Sequence, residues 1–449
     1  MTTNYEQLAK KLVARAKKMG AKQAEAFVQV GREASCRVRD GEIEHLSQST
    51  SKGVGLRVFV KNRLGFSWTS DFEPSSLNAF VDRAVQLAEA AAPNPLNGLP
   101  DDKDLGRFPD VGALYDAEVA SLAPDWKIAA ALEMEKAARA LDPRIKTIES
   151  VEAGESVGEV FLASSAGVSG YSQGTSVYLY TGAVAEADGQ LQNSWWYDAR
   201  RFLKDLESPE AVATEAARRA VRMLGAKKVK SQQVPVVFDP MMAASFVGGI
   251  AGAVNGDAVF KKASFLASKL GQAIAPPTVT IVDDGLMPKG LATSPFDGEG
   301  VPTRRSALVE KGVLKTFLYD AFTARKAKTR STGNASRGYR SLPSIGTHNL
   351  YLEPGTTAPK DLIKGITNGF YVTSMLGHGA NLVTGDYSRG ANGLWIENGE
   401  LTRPVQEVTV AGNLLQMLSR IDGIGSDLTF RGSVGAPTIR FSELTVSGA

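Results

Sequence analysis

The sequence predicts an α+β protein: two small units of helix and antiparallel sheet, followed by a β-rich, barrel-like carboxy-terminal domain. Three observations point there. Short alternating apolar and polar runs, broken by turn residues, fill the first part of the chain. Helical patterns flank those runs. Beyond Val234, strand-like runs recur with Gly and Pro piled between them, the pattern of a strongly bent sheet. The length, 449 residues, exceeds what one hydrophobic core usually serves, so division is expected.

Taken in order, Met1 to Gly20 reads as an amphipathic helix, with Leu8, Leu12, Val13 and Ala16 at helical spacing. Ala24 to Val30 and Ala34 to Arg39 read as strands, and an Asp40-Gly41 turn leads into Glu42 to Ser47. Gly53 to Val60 and Leu64 to Ser70 continue the meander, and Pro74 opens a helix to about Ala91. This is the first unit, residues 1–92. The stretch 92–109, dense in Pro, Asn, Gly and Asp, is a linker or long loop. In the second unit, 110–226, Trp126 to Leu141 is helical. Thr147 to Ala153, Gly158 to Ser164, Ser169 to Ala185 and Leu191 to Tyr197 are strands, and Pro209 to Leu224 closes it as a helix. The polar bridge Lys227 to Gln233 separates it from the third part, 234–449. That part opens with strand Val234 to Phe238 and helix Met241 to Val254, then continues in strands, among them Leu314 to Tyr319, Gly369 to Met375, Gly393 to Glu397, Val405 to Val410 and Thr438 to Val446.

Apolar residues at 43% and charged residues at 22% fit a folded soluble chain rather than a disordered one. A net charge of +3 is small for this length and disfavours both a dedicated nucleic-acid binder and a membrane-surface protein. With Cys36 as the one cysteine, no intrachain disulfide forms, which suits a reducing compartment. The amino terminus lacks the apolar core and small-residue cleavage site of a signal peptide. The least polar stretch, Met241 to Val254, falls short of the roughly 20 residues a bilayer demands. A cytoplasmic location without membrane attachment is the expectation.

Catalytic chemistry is hard to find. Zinc hydrolases need three ligands from His, Cys or carboxylate and an open position for water. His45, His348, His378 and Cys36 are scattered, no two histidines share a helix face, and HExxH is absent. His45 reads as a strand residue and His348 as a loop residue. His378 lies between Gly377 and Gly379, either a close backbone approach to a ligand or a flexible turn carrying an imidazole. There is no G-x-S-x-G elbow, Walker A loop or G-x-G-x-x-G, and the S-x-x-K match at Ser49 to Lys52 lacks its companion motifs. Arg325, Lys326, Lys328, Arg330, Arg337 and Arg340 lie in a stretch free of Asp and Glu from Ala321 to Leu352. They form either a grip for a carboxylate, phosphate or acidic surface, or a loop balanced by acids elsewhere in the fold.

Two long segments carry a resemblance. One is Thr293-Ser-Pro-Phe-Asp-Gly-Glu-Gly-Val-Pro-Thr-Arg-Arg305. The other comprises Gly385-Asp-Tyr-Ser-Arg-Gly390, then Trp395 to Glu400 and Pro404 to Asn413. With Ala24 to Thr69 and Ala244 to Leu270, they resemble the PmbA/TldD family, historically labelled modulators of DNA gyrase, and its PmbA (TldE) branch in particular. The resemblance implies a family in which TldD-type subunits carry HExxxH on a helix and a further cysteine ligand near the carboxy terminus. Those subunits act as zinc metallopeptidases on extended peptides, peptide-antibiotic precursors and antitoxins among them, and pair with a TldE-type subunit. On this chain the two histidine positions and the glutamate position fall near Val247, Gly252 and Gly248, and Asp427 to Pro437 contains no cysteine.

By that resemblance the chain is expected to be a non-catalytic, TldE-like subunit with no catalytic residue and no metal of its own. Zinc is expected in a TldD-like partner, peptides as substrate, and a homodimer where the partner is missing. Candidates for a shared substrate chamber are Asp297, Glu299, Arg304, His378, Asp386, Tyr387 and Arg389, polar groups in the glycine-rich matching segments. Two other readings stay open: a peptidase working by itself through an unrecognised site, and a regulator binding topoisomerase or nucleic acid through Arg325 to Arg340.

Overall fold

The computed structural model describes residues 4–377 and 379–448. Helix α1 (Tyr5–Lys18) is capped by Asn4 and buries Leu12, Val13 and Ala16 of the predicted stripe together with Ala9, while Leu8 is half-buried. Strands β1 (Gln23–Arg39) and β2 (Glu42–Val60) form one long hairpin, β3 (Arg63–Thr69) adds to its edge, and α2 (Pro74–Ala90) packs behind. A single turn, α3 (Ala117–Ala120), precedes helix α4 (Pro124–Leu141). Strands β4 (Ile145–Ser164), β5 (Ser169–Ala187) and β6 (Gln190–Arg200) and helix α5 (Pro209–Val221) follow. Where the sequence suggests separate short strands, as at Ala24 to Val30 and Ala34 to Arg39, the structure has continuous ones. The glycines between them, such as Gly31, stay within unbroken antiparallel ladders.

Both units run helix, three strands, helix, and their strands join in one six-stranded sheet, β3-β2-β1-β4-β5-β6, through antiparallel pairing of β1 with β4. The period of two then divides the sheet cleanly. On one face, Ala24, Ala26, Val28, Cys36 and Val38 of β1 and Val54, Leu56 and Val58 of β2 are buried under the helices, with Val151, Ala153, Val177 and Leu179 of β4 and β5. Lys127 of α4 reaches Glu155 of β4 at 2.8 Å, both nearly sealed from solvent, so the buried ammonium is met by a charge. The opposite face carries the other residues of each strand, and its fate differs along the strands.

The carboxy-terminal part covers one end of that opposite face. Tyr339 lies over Gly53 and Gly55, where a Cβ would meet its ring at 2.1 Å and its carbonyl oxygen at 2.4 Å. Phe27, Leu162, Phe296 and Tyr339 make a small core there. Arg57 bridges Glu25 and Glu299, and Arg337 sits 2.7 Å from Glu25 and over the Phe27 ring. Past this seam the sheet face is open.

The carboxy-terminal part is β-rich and barrel-like, as the sequence predicts. Strand β7 (Gln232–Phe238) pairs in parallel with 368–376. Antiparallel pairings then run through 386–397, 400–413 and 439–447 and return to β7, closing the ring. A second six-stranded sheet contains Ile281–Asp284, Asn349–Leu352 and Val434–Ala436. Helix α6 (Pro240–Ala253), capped by Asp239, packs between barrel and second sheet, its Phe246 edge-on to Phe238 and Phe441. That placement explains a helix apolar all round. The predicted strand at Leu314 to Tyr319 is a strand only at Val313–Leu314, because the Leu318 amide turns away to donate to Val254 O at 2.9 Å. Among the described residues no helix is long and apolar enough to cross a membrane.

Candidate functional site

Helix α6 carries the positions where the resemblance would put a zinc site. Val247 is 1% exposed and packed in the core. Gly248 borders a cavity of about 510 Å³ that Ser245, Trp196, Arg431 and Ser433 also line. A Cβ on Gly248 would find Val434 Cγ1 at 3.9 Å, and one on Gly249 would find nothing within 4 Å, whereas one on Gly252 would meet Leu382 Cδ1 at 2.6 Å. Trp196 is held between two guanidiniums, Arg219 at 4.0 Å and Arg431 at 4.3 Å from its ring. Arg431 pairs with Asp198 and Glu207, and Arg219 with Asp239 at the start of α6.

The donor set around this cavity does not fit zinc. It offers hydroxyls, apolar side chains and cationic guanidiniums where a divalent ion needs thiolate, imidazole or carboxylate. Among the described residues no group of three or more His, Cys, Asp and Glu is placed to hold a metal. Cys36 is buried under the helices of the first sheet. His348 is buried, its Nδ1 3.1 Å from Asp283 Oδ2, and its backbone N–H donates to Asp283 Oδ1 at 2.7 Å.

Tyr197 borders this cavity and also a larger one, about 1080 Å³, over the open face of the first sheet. Alternation along β5 brings Ser172, Gly174, Ser176, Tyr178 and Tyr180 to that face. In the paired register Glu152 of β4 and Tyr197 of β6 flank Tyr180. Arg37 Nη2 donates to Glu152 at 2.9 Å, and the Tyr178 hydroxyl donates to the same carboxylate. Burial pushes the Tyr178 hydroxyl up, and the Glu152 carboxylate adds to the rise. Burial would raise Glu152, yet the Tyr178 and Arg37 donors hold it below the ordinary carboxylate range. The wall is thus hydroxyl-, glycine- and aromatic-rich, with its charges largely paired. Its signal in the sequence is the alternation Ser172-x-Gly174-x-Ser176-x-Tyr178-x-Tyr180, which cannot say whether a polar face meets water, a ligand or another layer.

The residues singled out from the sequence fall into separate places. Asp297 and Glu299 are buried near the seam. Asp297 accepts backbone N–H bonds from Glu299, Val301 and Ala335, and Glu299 accepts from Arg57 and the Ala321 amide. Arg304 donates to Ser331 O at 3.2 Å. On the barrel, Asp386 accepts from the Thr384 hydroxyl at 2.7 Å, and the Tyr387 hydroxyl lies 3.0 Å from Met375 Sδ. Arg389 donates to Ser245 Oγ at 2.9 Å, which ties it to α6 one turn before Gly248. His378 lies outside the described residues.

The basic segment is drawn into the fold. Arg325 donates to the carbonyls of Leu96, Gly98 and Leu99 and pairs with Asp101, Arg330 pairs with Asp104, and Lys326 with Asp257. Arg337 is buried rather than part of a solvated loop, because Glu25 and the Phe27 ring compensate its charge.

The fold defines a class of three-part α+β chains seen in solved structures. A Bacteroides thetaiotaomicron chain described as a candidate modulator of DNA gyrase superposes with a TM-score of 0.92 at 30% identity, covering 100% of both chains. TldE from Thermococcus kodakarensis superposes with a TM-score of 0.90 at 26% identity, over 98% of this chain and 99% of that one. The Escherichia coli metalloprotease PmbA is 33% identical over 417 residues, 92% of this chain and 90% of that protein. Family models for the PmbA/TldA metallopeptidases match domain 1 at residues 24–88, the central domain at 117–224 and the C-terminal domain at 231–448. The chain belongs to the PmbA/TldD metallopeptidase family.

Proposed function

We propose that this chain is a non-catalytic subunit of a two-subunit zinc metallopeptidase, supplying part of the chamber in which peptides are held while a TldD-like partner provides zinc and the hydrolytic water. The observation that carries this reading is the set of side chains on α6. By the resemblance, Val247, Gly248 and Gly252 fall where two ligands and a base would be needed, and among the described residues no replacement donor lines the adjoining cavity. Gly248 and Gly249 support it further. Each interior glycine costs a helix about 1 kcal/mol relative to alanine, and neither is crowded from within this chain. A partner's surface or a peptide over α6 would supply the missing contact. Arg389, linked to Ser245, and Tyr197, shared by both cavities, are the chamber residues this reading favours.

The test is metal content and peptidase turnover of the pure chain, with and without chelator, and again after mixing with a TldD-like subunit. The expected outcome is metal-free, inactive protein that joins a chelator-sensitive complex. Chelator-sensitive turnover by the pure chain overturns the reading. Deuterium exchange on complex formation is expected to protect 240–253, and unchanged exchange there would remove α6 from the shared surface.

A further inference from the structure

One cation on the open sheet face has no counter-charge among the described residues. Arg201, just past β6, is 8% exposed. Its Nε donates to Gly290 O at 2.7 Å, and Nη2 donates to Leu291 O at 2.9 Å and Thr293 O at 3.1 Å. Nη1 has a single long bond, 3.5 Å to Leu114 O, for its two hydrogens. Among the described residues no carboxylate pairs with this guanidinium. Burial, with no acid to offset it, pulls its pKa down to about 10, so it stays charged near neutrality. The other arginines of the same cavity differ: Arg37 pairs with Glu152 and Arg39 with Glu44.

The position of Nη1 tells where a counter-charge could come from. A Cβ on Gly174 would lie 2.5 Å from Nη1, so the guanidinium rests on a bare stretch of β5 backbone, and both residues line the cavity of about 1080 Å³. From there the cavity follows β5 past Ser176, Tyr178 and Tyr180 to the level of Gly182. The eight steps from Gly174 to Gly182 span about 26 Å, the reach of roughly seven or eight extended peptide residues. Hydroxyls and tyrosine rings along such a wall suit a peptide of varied sequence, since they offer adaptable hydrogen bonds and flat apolar area.

We infer that the open face of the first sheet binds the carboxy-terminal end of an extended peptide, the terminal carboxylate accepting from Arg201 Nη1 above Gly174. The inference rests on the chamber reading and adds a polarity to it: the peptide's carboxyl end lies inward, beside Leu291 and Thr293, and its amino end runs out along β5. A carboxylate there supplies the charge that no described residue offers, in a setting where water screens it little. An acidic side chain carries the same chemistry as a chain terminus, so the probes must separate the two.

The experiment is fluorescence anisotropy on the full chain, by itself and in complex with its partner, using an amino-terminally labelled octapeptide of Ala, Leu and Ser. It is made as the free acid, as the amide, and as the amide with Glu at the last position. The free acid is expected to bind at least about tenfold more tightly than either amide. Equal binding of acid and plain amide, or no binding of either, overturns the inference, and so does a Glu amide that matches the free acid. Gly174→Ala, which crowds Nη1, and Arg201→Lys are expected to bring the acid-to-amide ratio near one. Because Arg201 also braces the 290–293 turn, the ligand comparison on the unaltered chain decides the matter if either variant fails to fold. Turnover of the assembled pair tests the subunit reading separately, and the two can fail independently.

Discussion

Arg57 Nη1 and Glu299 Oε1 lie 2.7 Å apart, joining β2 of the first sheet to a loop 242 residues further along the chain. Both side chains are almost wholly buried, and Glu25 meets the same guanidinium at 3.2 Å. The seam between the first sheet and the carboxy-terminal part is therefore partly ionic. Removing Arg57 leaves two buried carboxylates less well compensated, since Glu299 keeps the Ala321 amide and Glu25 keeps Arg337. Arg57→Met is expected to cost roughly 3–5 kcal/mol of unfolding free energy in a denaturant titration, and Arg57→Met with Glu299→Leu to recover part of that. A loss below about 1 kcal/mol for the single change would mean the pair is solvated.

The same seam makes stability depend on pH. Burial pushes the Asp297 carboxyl up to about 7, repulsion from Glu299 adds to the rise, and three backbone N–H donors work against it. In the unfolded chain an Asp titrates near about 3.9. The native state thus holds more protons between the two values. Its stabilising contribution is full below the lower one and is lost as pH rises through the upper. Asp297→Asn should make the slope of unfolding free energy between pH 5 and pH 7 less negative than in the parent chain. Coincident slopes would show an Asp297 that is ionised throughout.

Helix α6 offers a change in the opposite direction. A methyl group on Gly249 meets nothing within 4 Å. Gly249→Ala should stabilise the isolated chain by roughly 0.5–1 kcal/mol, the cost that glycine imposes on a helix interior. Thermal unfolding of the two proteins side by side measures it, and a destabilised variant would reveal crowding from within the chain. If α6 faces a partner, the same variant should weaken the complex.

Arg325 governs the segment between the first two helix-and-sheet units. Its guanidinium holds three carbonyls between Leu96 and Leu99 and pairs with Asp101. Arg325→Ala should leave global unfolding little changed while speeding proteolytic cleavage within 92–109 several-fold. An unchanged cleavage rate would place the order of that segment elsewhere.

The limits of sequence reading show at particular residues. Helix α1 is legible because its apolar spacing is a local property. The long strands are harder to read, since Gly31 looks like a break until a partner ladder runs through it. Arg337 looks like a solvated basic residue because Glu25, its partner, is far away in the sequence. At the candidate site, Val247, Gly248 and Gly252 declare their lack of ligand atoms by identity, with no geometry needed. Arg201 declares nothing: its meaning depends on which carbonyls surround it and on the missing carboxylate.

By itself the sequence determined the α+β class, the β-rich carboxy-terminal body and an α6 without metal-binding side chains, because period, turn chemistry and ligand identity are carried by neighbouring residues. The tertiary structure decided that β1 and β4 fuse two units into one sheet, which half of its second face is covered, and where a guanidinium has no counter-charge among the described residues. Those outcomes depend on groups brought together across hundreds of residues, and charge and burial act through distance in space rather than order along the chain.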